Sequence, residues 1–257
     1  MSVHLSSVER QNQILRFITS HQRISTAEIC EKLMVSEATA RRDLEILETG
    51  GKLQRVHGGA IPIGQTSKEL PIHQRQSEQA GEKTRIGQAA AGLVEEGETV
   101  FLGSGTTVLE VARVLRGRRN LTIITNSLAV VNALAGEEGL TIVCLGGMLR
   151  ESELSFIGHI TEQALGELRA DKVMIGTRAI SLANGLTHEY LPETMTDRAI
   201  LKVGREIIVL ADHTKFGREG AVLLAPLVQV HTLITDMETP TEYLEAFHQK
   251  GIKVLTV

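Results

Sequence analysis

The stretch Ser36-Glu37-Ala38-Thr39-Ala40-Arg41-Arg42-Asp43-Leu44 decides how the start of this 257-residue chain folds. A serine ahead of helix-forming residues is an N-cap: its hydroxyl accepts from a backbone N–H that the first turn leaves unpaired. Ala40, Leu44 and Leu47 recur at helical spacing and predict the buried stripe. Gly50 and Gly51 stop the helix. With that stripe inward, Glu37, Ala38, Thr39, Arg41 and Arg42 lie on or beside the exposed face of the first two turns. Upstream, across the short break Met34-Val35, Ser25-Thr26-Ala27-Glu28 is a capping box opening a helix with Ile29 and Leu33 inward. Ser6-Ser7-Val8-Glu9 repeats the device ahead of Ile14, Leu15 and Ile18. Downstream, Leu53 to Val56 has the length of a short strand, His57-Gly58-Gly59 forms a tight turn, and Ala60-Ile61 returns.

Capped helices followed by a strand, a turn and a strand are the layout of a winged helix-turn-helix. Its last helix puts its N-terminal end in the major groove of DNA. Arginine suits that position, because its guanidinium bridges guanine O6 and N7 or clamps a phosphate. Ser36, Glu37, Ala38, Thr39, Arg41 and Arg42 are therefore candidate DNA contacts. Arg55 and His57 project from the wing toward the backbone or the minor groove. Paired arginines also fit a solvated helix face, and His57 also fits a turn residue bonding its own backbone. The caps, the turn and the wing around the pair favour DNA.

Composition limits the remainder. Aromatic content is 3 % with no Trp, so the core must be aliphatic. The net charge of −4 is unusual for a DNA binder, but residues 1–60 carry eight Lys/Arg against seven Asp/Glu, so the acidity lies further on. Contact with nucleic acid must come from local clusters such as Arg41, Arg42, Lys52, Arg55 and His57. Cys30 and Cys144 sit far apart in apolar runs and read as small buried hydrophobes in a reducing compartment. No secretory signal pattern opens the chain and no apolar run is long enough to span a bilayer. A soluble, cytoplasmic protein is expected, with no membrane partner.

Residues 1–61 thus form the expected DNA-binding domain. Residues 62–81, rich in Gly, Ser, Thr and Gln, read as a linker with a short helix near its end. From residue 82 to 257, helices alternate with short apolar strands at Thr99–Leu102, Leu121–Thr125, Thr141–Leu145, Lys172–Ile175, Glu206–Leu210, Thr232–Thr235 and Lys253–Val257. That alternation predicts an α/β domain with a mostly parallel sheet. Ligands bind such sheets at the C-terminal strand ends. The loops there are polar and glycine-rich: Gly103-Ser104-Gly105-Thr106-Thr107, Thr125-Asn126-Ser127, Gly146-Gly147, and Asp212-His213-Thr214-Lys215-Phe216-Gly217. Small and hydroxyl residues at a helix N-terminus cradle an anion through backbone N–H groups, although a single such turn is often only a cap.

Two sets of residues resemble one family. The run AEICEKLMVSEATARRDLEILETGGKLQRVHGGA, Ala27 to Ala60, is similar to the signature of the DeoR family of bacterial transcription regulators. The strand-end motifs GSGTT, TNS, LGG, KVMIG and DHTKFG resemble that family's C-terminal domain, so the likeness covers nearly the whole chain. The resemblance implies a sensor domain related in fold to ribose-5-phosphate isomerase that binds phosphorylated sugars or related metabolites. It implies repression in most members. By carry-over, Ser104, Gly105, Thr106 and Thr107 would hold a phosphate and Lys215 would supply positive charge. Asn126, Ser127, Gly146 and Gly147 would face the same cleft. Many members carry a larger apolar residue where this chain has Ala40, and Asp where it has Gly103. Gly176-Thr177-Arg178 stands where many have a Gly-Ala-Asp type of turn, and Arg178 suggests an additional anionic group on the ligand.

His188, Glu189, Glu193 and Asp197 allow three readings, of which contact with a bound metabolite lies between the other two. Glu193 and Asp197 share a helix face and with His188 could form a metal site or an acid–base pair. A solvated face with pairing to Arg198 is the favoured reading, because no second histidine arrives at ligand spacing. No cofactor, metal or catalytic residue is expected. The alternative function is a sugar-phosphate isomerase-like enzyme with an appended DNA-binding domain, for which Asp212 is the main carboxylate base. A homo-oligomer, at least a dimer, is expected, since paired winged domains read repeated half-sites.

Overall fold

The computed structural model describes residues 6–21, 24–50, 52–56, 58–61 and 70–257. The chain divides into two compact units, Met1–Glu69 and Leu70–Val257. His57 lies outside the described residues, as do residues 62–69 of the expected linker.

In the first unit, α1 (Ser7–His21), β1 (Ile24–Ser25), α2 (Thr26–Leu33) and α3 (Glu37–Thr49) precede β2 (Gln54–Val56) and β3 (Gly59–Ile61). The caps act as the sequence predicts. Ser6 and Glu9 bond reciprocally, Ser25 and Glu28 form a complete capping box, and the Ser36 hydroxyl accepts from the Thr39 N–H. Ile14, Ile18, Ile29, Ala40, Leu44 and Leu47 meet in one buried cluster. Ala40 is fully enclosed there, so its short side chain is accommodated by close packing. Asp43, on the same helix, is also buried. It accepts from Arg10 Nε at 2.9 Å, Arg10 Nη2 at 3.3 Å and Gln11 Nε2 at 3.2 Å. The wing has one more strand than the sequence shows: β3 pairs antiparallel with both β2 and β1. Gly59 makes that possible, since a Cβ there would lie 2.2 Å from the Ile24 carbonyl oxygen.

The second unit opens with α4 (Ile72–Arg75) and α5 (Ala80–Ala91). Residues 70–81 therefore belong to this unit and not to a linker. Ile72 is buried and its N–H donates to the Ser152 carbonyl at 2.7 Å. The chain continues through β4 (Thr99–Leu102), α6 (Thr106–Leu115), β5 (Leu121–Thr125), α7 (Leu128–Leu134) and β6 (Leu140–Cys144). A hairpin of β7 (Met148–Arg150) and β8 (Ser155–Ile157) leads to α8 (His159–Gly166) and β9 (Ala170–Gly176). Next come β10 (Ala179–Ser181), β11 (Gly185–His188), α9 (Leu191–Leu201), β12 (Gly204–Leu210) and β13 (Val222–Ala225). The last elements are β14 (Thr232–Thr235), α10 (Thr241–Gln249) and β15 (Lys253–Thr256).

Seven strands form one sheet in the order β15-β14-β12-β9-β4-β5-β6, and every pairing in it is parallel. Neighbouring residues of a strand enter opposite cores: Phe101 joins the cluster containing Val173, Val209 and Phe247, whereas Val100 and Leu102 join the one containing Ile86, Val111 and Leu210. A sheet buried on both faces reads as continuous apolar runs, which is why its strands are visible in the sequence. From β4 the chain builds outward through β5 and β6 on one side, then restarts at β9 on the other. The gap between β4 and β9 is the topological switch point where ligand crevices open.

Two small antiparallel sheets, β7-β8 and β10-β11-β13, are absent from the sequence-based expectation. The cysteine reading also needs correcting. Both thiols are free, but Cys30 is only partly buried and Cys144 is exposed. Cys144 is the last residue of β6, the edge strand of the sheet.

Candidate functional site

On α3 the residues read as DNA contacts are presented to solvent. Ser36, Glu37, Ala38, Arg41 and Arg42 are exposed and Thr39 is half-buried. Arg41 Nη2 sits 2.5 Å from Glu37 Oε1, with both side chains more than 60 % exposed. Such an i,i+4 pair is worth only about 0.3–0.5 kcal/mol, less than a bidentate base contact at roughly 1–3 kcal/mol, so Arg41 is readily redirected. Arg55 on β2 is exposed, and its N–H donates to Glu48 Oε1 at 3.1 Å, tying the wing strand to the end of α3.

In the second unit one cavity opens at the switch point. Ser104, Gly105, Thr106 and Thr107 follow β4, Gly176 ends β9 with Thr177 and Arg178 after it, and Lys215 comes from the loop after β12. Gly105 has φ 108° and no side chain caps α6, so the helix begins with its amide groups turned to the cavity and the positive end of its dipole there. Three further cationic or acidic groups enter from the start of the unit: Arg75, Glu78 and Lys83 also line the wall.

The charges are densely paired. Arg75 and Arg178 both donate to Glu153 Oε1. Arg150 donates to Glu193, whose other oxygen accepts from Ser155 Oγ at 2.9 Å. Lys83 Nζ donates to the Arg75 carbonyl at 2.6 Å, and Lys215 Nζ lies 3.8 Å from Asp212 Oδ2. Burial pushes Glu153 up to about 8, against the pull of Arg75, and lowers Arg178 to about 10. It also lowers Lys83 and Lys215. A ligand anion favours the charged form of both lysines and so offsets the cost of their burial, which makes a negative group the natural complement of this wall.

Both units have known counterparts. The DeoR-like helix-turn-helix domain matches residues 10–66, and the DeoR C terminal sensor domain matches residues 78–237. The chain belongs to the DeoR family. The Transcriptional repressor AccR of Agrobacterium fabrum is 36 % identical, over 92 % of this chain and 92 % of its own length. The Glycerol-3-phosphate regulon repressor of Escherichia coli is 32 % identical, over 97 % of this chain and 99 % of its own. The HTH-type transcriptional regulator IolR of Bacillus subtilis is 31 % identical over 95 % and 97 %. Among solved structures, ribose 5-phosphate isomerase A of Methanocaldococcus jannaschii superimposes with a TM-score of 0.40 at 19 % identity, covering 54 % of this chain and 55 % of that one. That likeness is too distant to carry an argument about activity. This DeoR-family chain is a DNA-binding transcriptional regulator, and the isomerase-like alternative is set aside on the strength of its full-length relatives.

The sequence placed Ser104, Gly105, Thr106, Thr107, Arg178 and Lys215 in the cleft, and all line the cavity. Asn126, Ser127, Gly146 and Gly147 are not among its lining residues. Bonds to the unforeseen β7-β8 hairpin, α7 and α8 engage three of them and part of the fourth, since Asn126 Oδ1 is buried without a partner among the described residues. Asn126 Nδ2 donates to the Phe156 carbonyl at 3.1 Å, the Phe156 N–H donates back to Asn126 O at 2.7 Å, and Ser127 caps α7. Gly146 O accepts from Thr161 Oγ1 at 2.8 Å, and Gly147 packs against the same threonine. Arg178 is held beside Arg75 on the same Glu153 oxygen, so two guanidinium groups share one buried carboxyl at the cavity wall. The reading of Glu193 and Asp197 as a solvated face paired with Arg198 is also overturned. Both are buried and line the cavity with His188, while Arg198 donates to the Leu223 carbonyl. Arg75, Glu78, Lys83 and Glu153 were missed; none lies in a motif or a periodic stripe that marks it in the sequence.

Proposed function

We propose that this regulator represses an operon of carbohydrate metabolism and is released by a phosphorylated sugar or similar metabolite bound in the cavity of the second unit. The observation that carries the reading is the uncapped start of α6 at Gly105, facing the same cavity as Lys215, Lys83 and Arg178. Oriented amides beside the buried Lys83 and the half-buried Lys215 suit a phosphate better than a neutral ligand. The relatives' names add support, since two are repressors and one is the glycerol-3-phosphate regulon repressor. Ser36, Glu37, Ala38, Thr39, Arg41, Arg42 and Arg55 would read and clamp the operator. Two or more copies would bind it together, through apolar side chains exposed on adjoining elements: Ile160 of α8, Leu191 and Met195 of α9, and Leu223 of β13. No helix among the described residues is long and apolar enough to cross a membrane, which fits a regulator acting in the cytoplasm.

A thermal-shift screen against sugar phosphates tests the effector: a ligand at ~100 times its Kd adds about 2.7 kcal/mol of stability. Lys215→Ala should abolish that gain while operator affinity without ligand stays close to wild type. A Lys215→Ala protein that still binds the best hit at full strength moves the phosphate site elsewhere. Light scattering tests assembly, and a stable monomer with full operator affinity rules out the oligomer.

A further inference from the structure

His188 is the last residue of β11 and lines the cavity, with its side chain 9 % exposed. Neither ring nitrogen has a hydrogen-bond partner among the described residues. Nδ1 stands 3.3 Å from Asp197 Oδ2, close enough for attraction but outside good hydrogen-bond geometry. The backbone beneath it is fixed: the Gly220 N–H donates to Thr187 Oγ1 at 2.7 Å, and a Cβ at Gly220 would lie 2.4 Å from the His188 carbonyl oxygen. A buried, rigidly mounted imidazole with two unsatisfied nitrogens is uncommon in a folded protein and calls for a partner.

The surroundings define that partner. Glu193 and Asp197, one helical turn apart on α9, line the cavity beside His188. Carboxylates accept hydrogen bonds and repel anions, and a neutral imidazole offers one donor and one acceptor. A hydroxyl can donate to the carboxylates and also bond the imidazole, whereas an ionised phosphate or carboxylate can only accept from the imidazole and gives the acids nothing. The cavity thus has amides and lysines at the β4 and β12 loops, acceptors at the β11–α9 end, and Ile175 and Leu210 among its lining.

We propose that His188, Glu193 and Asp197 form the hydroxyl-reading end of the cavity, so that the effector is a phosphate monoester whose opposite end is uncharged and hydroxylated. This rests on the reading of the α6 end as the phosphate site. His188 is then the residue that sets selectivity among phosphorylated metabolites. A site built around hydroxyl bonds discriminates strongly, because a ligand lacking the hydroxyl leaves the protein's buried groups unpaired.

Calorimetry on the full chain tests it with inorganic phosphate, glycerol 3-phosphate, ribose 5-phosphate, fructose 6-phosphate and fructose 1,6-bisphosphate. The variants are His188→Ala, His188→Gln and Lys215→Ala, with circular dichroism confirming that each is folded. The expected result has three parts. At least one monophosphate binds wild type about tenfold or more tighter than inorganic phosphate. Both His188 variants lose about tenfold of that advantage while their affinity for inorganic phosphate moves less than about twofold. Fructose 1,6-bisphosphate binds more weakly than fructose 6-phosphate. Full monophosphate affinity in both His188 variants, or tighter binding of the bisphosphate, overturns the proposal and leaves the phosphate site standing. If instead Lys215→Ala binds every probe as wild type does, or no probe binds wild type, the phosphate site itself is wrong and the proposal falls with it.

Discussion

Arg75 donates to Glu153 across 78 positions of the chain, and Arg178 donates to the same carboxylate oxygen. One buried acid therefore joins the first helix of the second unit to the wall of the cavity. Its ionisation is costly there, since burial and the nearby Glu193 and Asp197 outweigh Arg75 and Arg150 and push it up to about 8. The sign of the consequence follows from linkage. Between about pH 4.5 and 8 the folded protein holds a proton that the unfolded chain gives up, so this group lowers stability as pH rises through that window. Glu153→Gln removes the group that titrates. The melting temperature of Glu153→Gln relative to wild type should become more favourable from pH 5 to pH 8. A difference that stays flat with pH would mean that the two guanidinium groups keep Glu153 ionised throughout.

The same contact bears on regulation. Arg75 ends α4, the first element after residue 69, and also lines the cavity. A phosphate arriving beside Arg178 competes with Glu153 for that guanidinium, and because Arg75 shares the same carboxylate the exchange changes how α4 is held. Ligand and operator affinities in allosteric proteins are typically linked by about 5–150-fold, reciprocally. Arg75→Met should bring that factor toward one, with operator affinity in the absence of ligand nearly unchanged. Operator titrations with and without a saturating sugar phosphate measure it. A factor equal to wild type shows that the signal leaves the cavity by another route.

The α3 face gives a separate expectation. Arg41→Ala and Arg42→Ala alter exposed side chains, so stability should move by no more than about 0.5 kcal/mol. A bidentate base contact is worth roughly 1–3 kcal/mol, so at least one variant should bind operator tenfold or more weakly. Gel-shift titration at fixed salt decides it, and unchanged affinity in both variants removes these arginines from the DNA interface.

How much of this was legible in the sequence depends on the range of the interactions. Caps at Ser6, Ser25 and Ser36 are set by residues three positions apart, and they read correctly. The strands Thr99–Leu102, Leu121–Thr125 and Thr232–Thr235 are short apolar runs buried on both faces, and they too were placed to the residue. The β7-β8 hairpin is different: Met148 and Leu149 are exposed, so no alternation marks it, yet it is what bonds the Asn126 side-chain amide. The burial of the cavity's acids, and the part played by Arg75, are hidden for a related reason. Glu153, Glu193 and Arg75 look like surface residues until the sheet order brings loops from distant positions together. Buried charge has no local signature in a sequence, because its partners are supplied by topology.

The wing supplies the sharpest steric test. At Gly59 an added Cβ would lie 2.2 Å from the Ile24 carbonyl oxygen and 2.9 Å from the Ser25 Cα, and both are backbone atoms that no rotamer change can move. At neighbouring Gly58 nothing stands within 4 Å, but φ is 77°. Gly58→Ala therefore faces only left-handed strain of roughly 1–2 kcal/mol. Gly59→Ala must separate β1 from β3, losing the Ile24↔Ala60 and Ser25↔Gly59 pairing. Overpacking of this kind costs about 1–3 kcal/mol, and the lost strand pairing adds to it. Gly59→Ala should weaken operator binding more than Gly58→Ala and should speed amide exchange in the first unit. Thermal stabilisation of the second unit by a sugar phosphate should be the same in both variants. Wild-type operator affinity and exchange rates in Gly59→Ala would show that β1 does not lie against the wing as placed here.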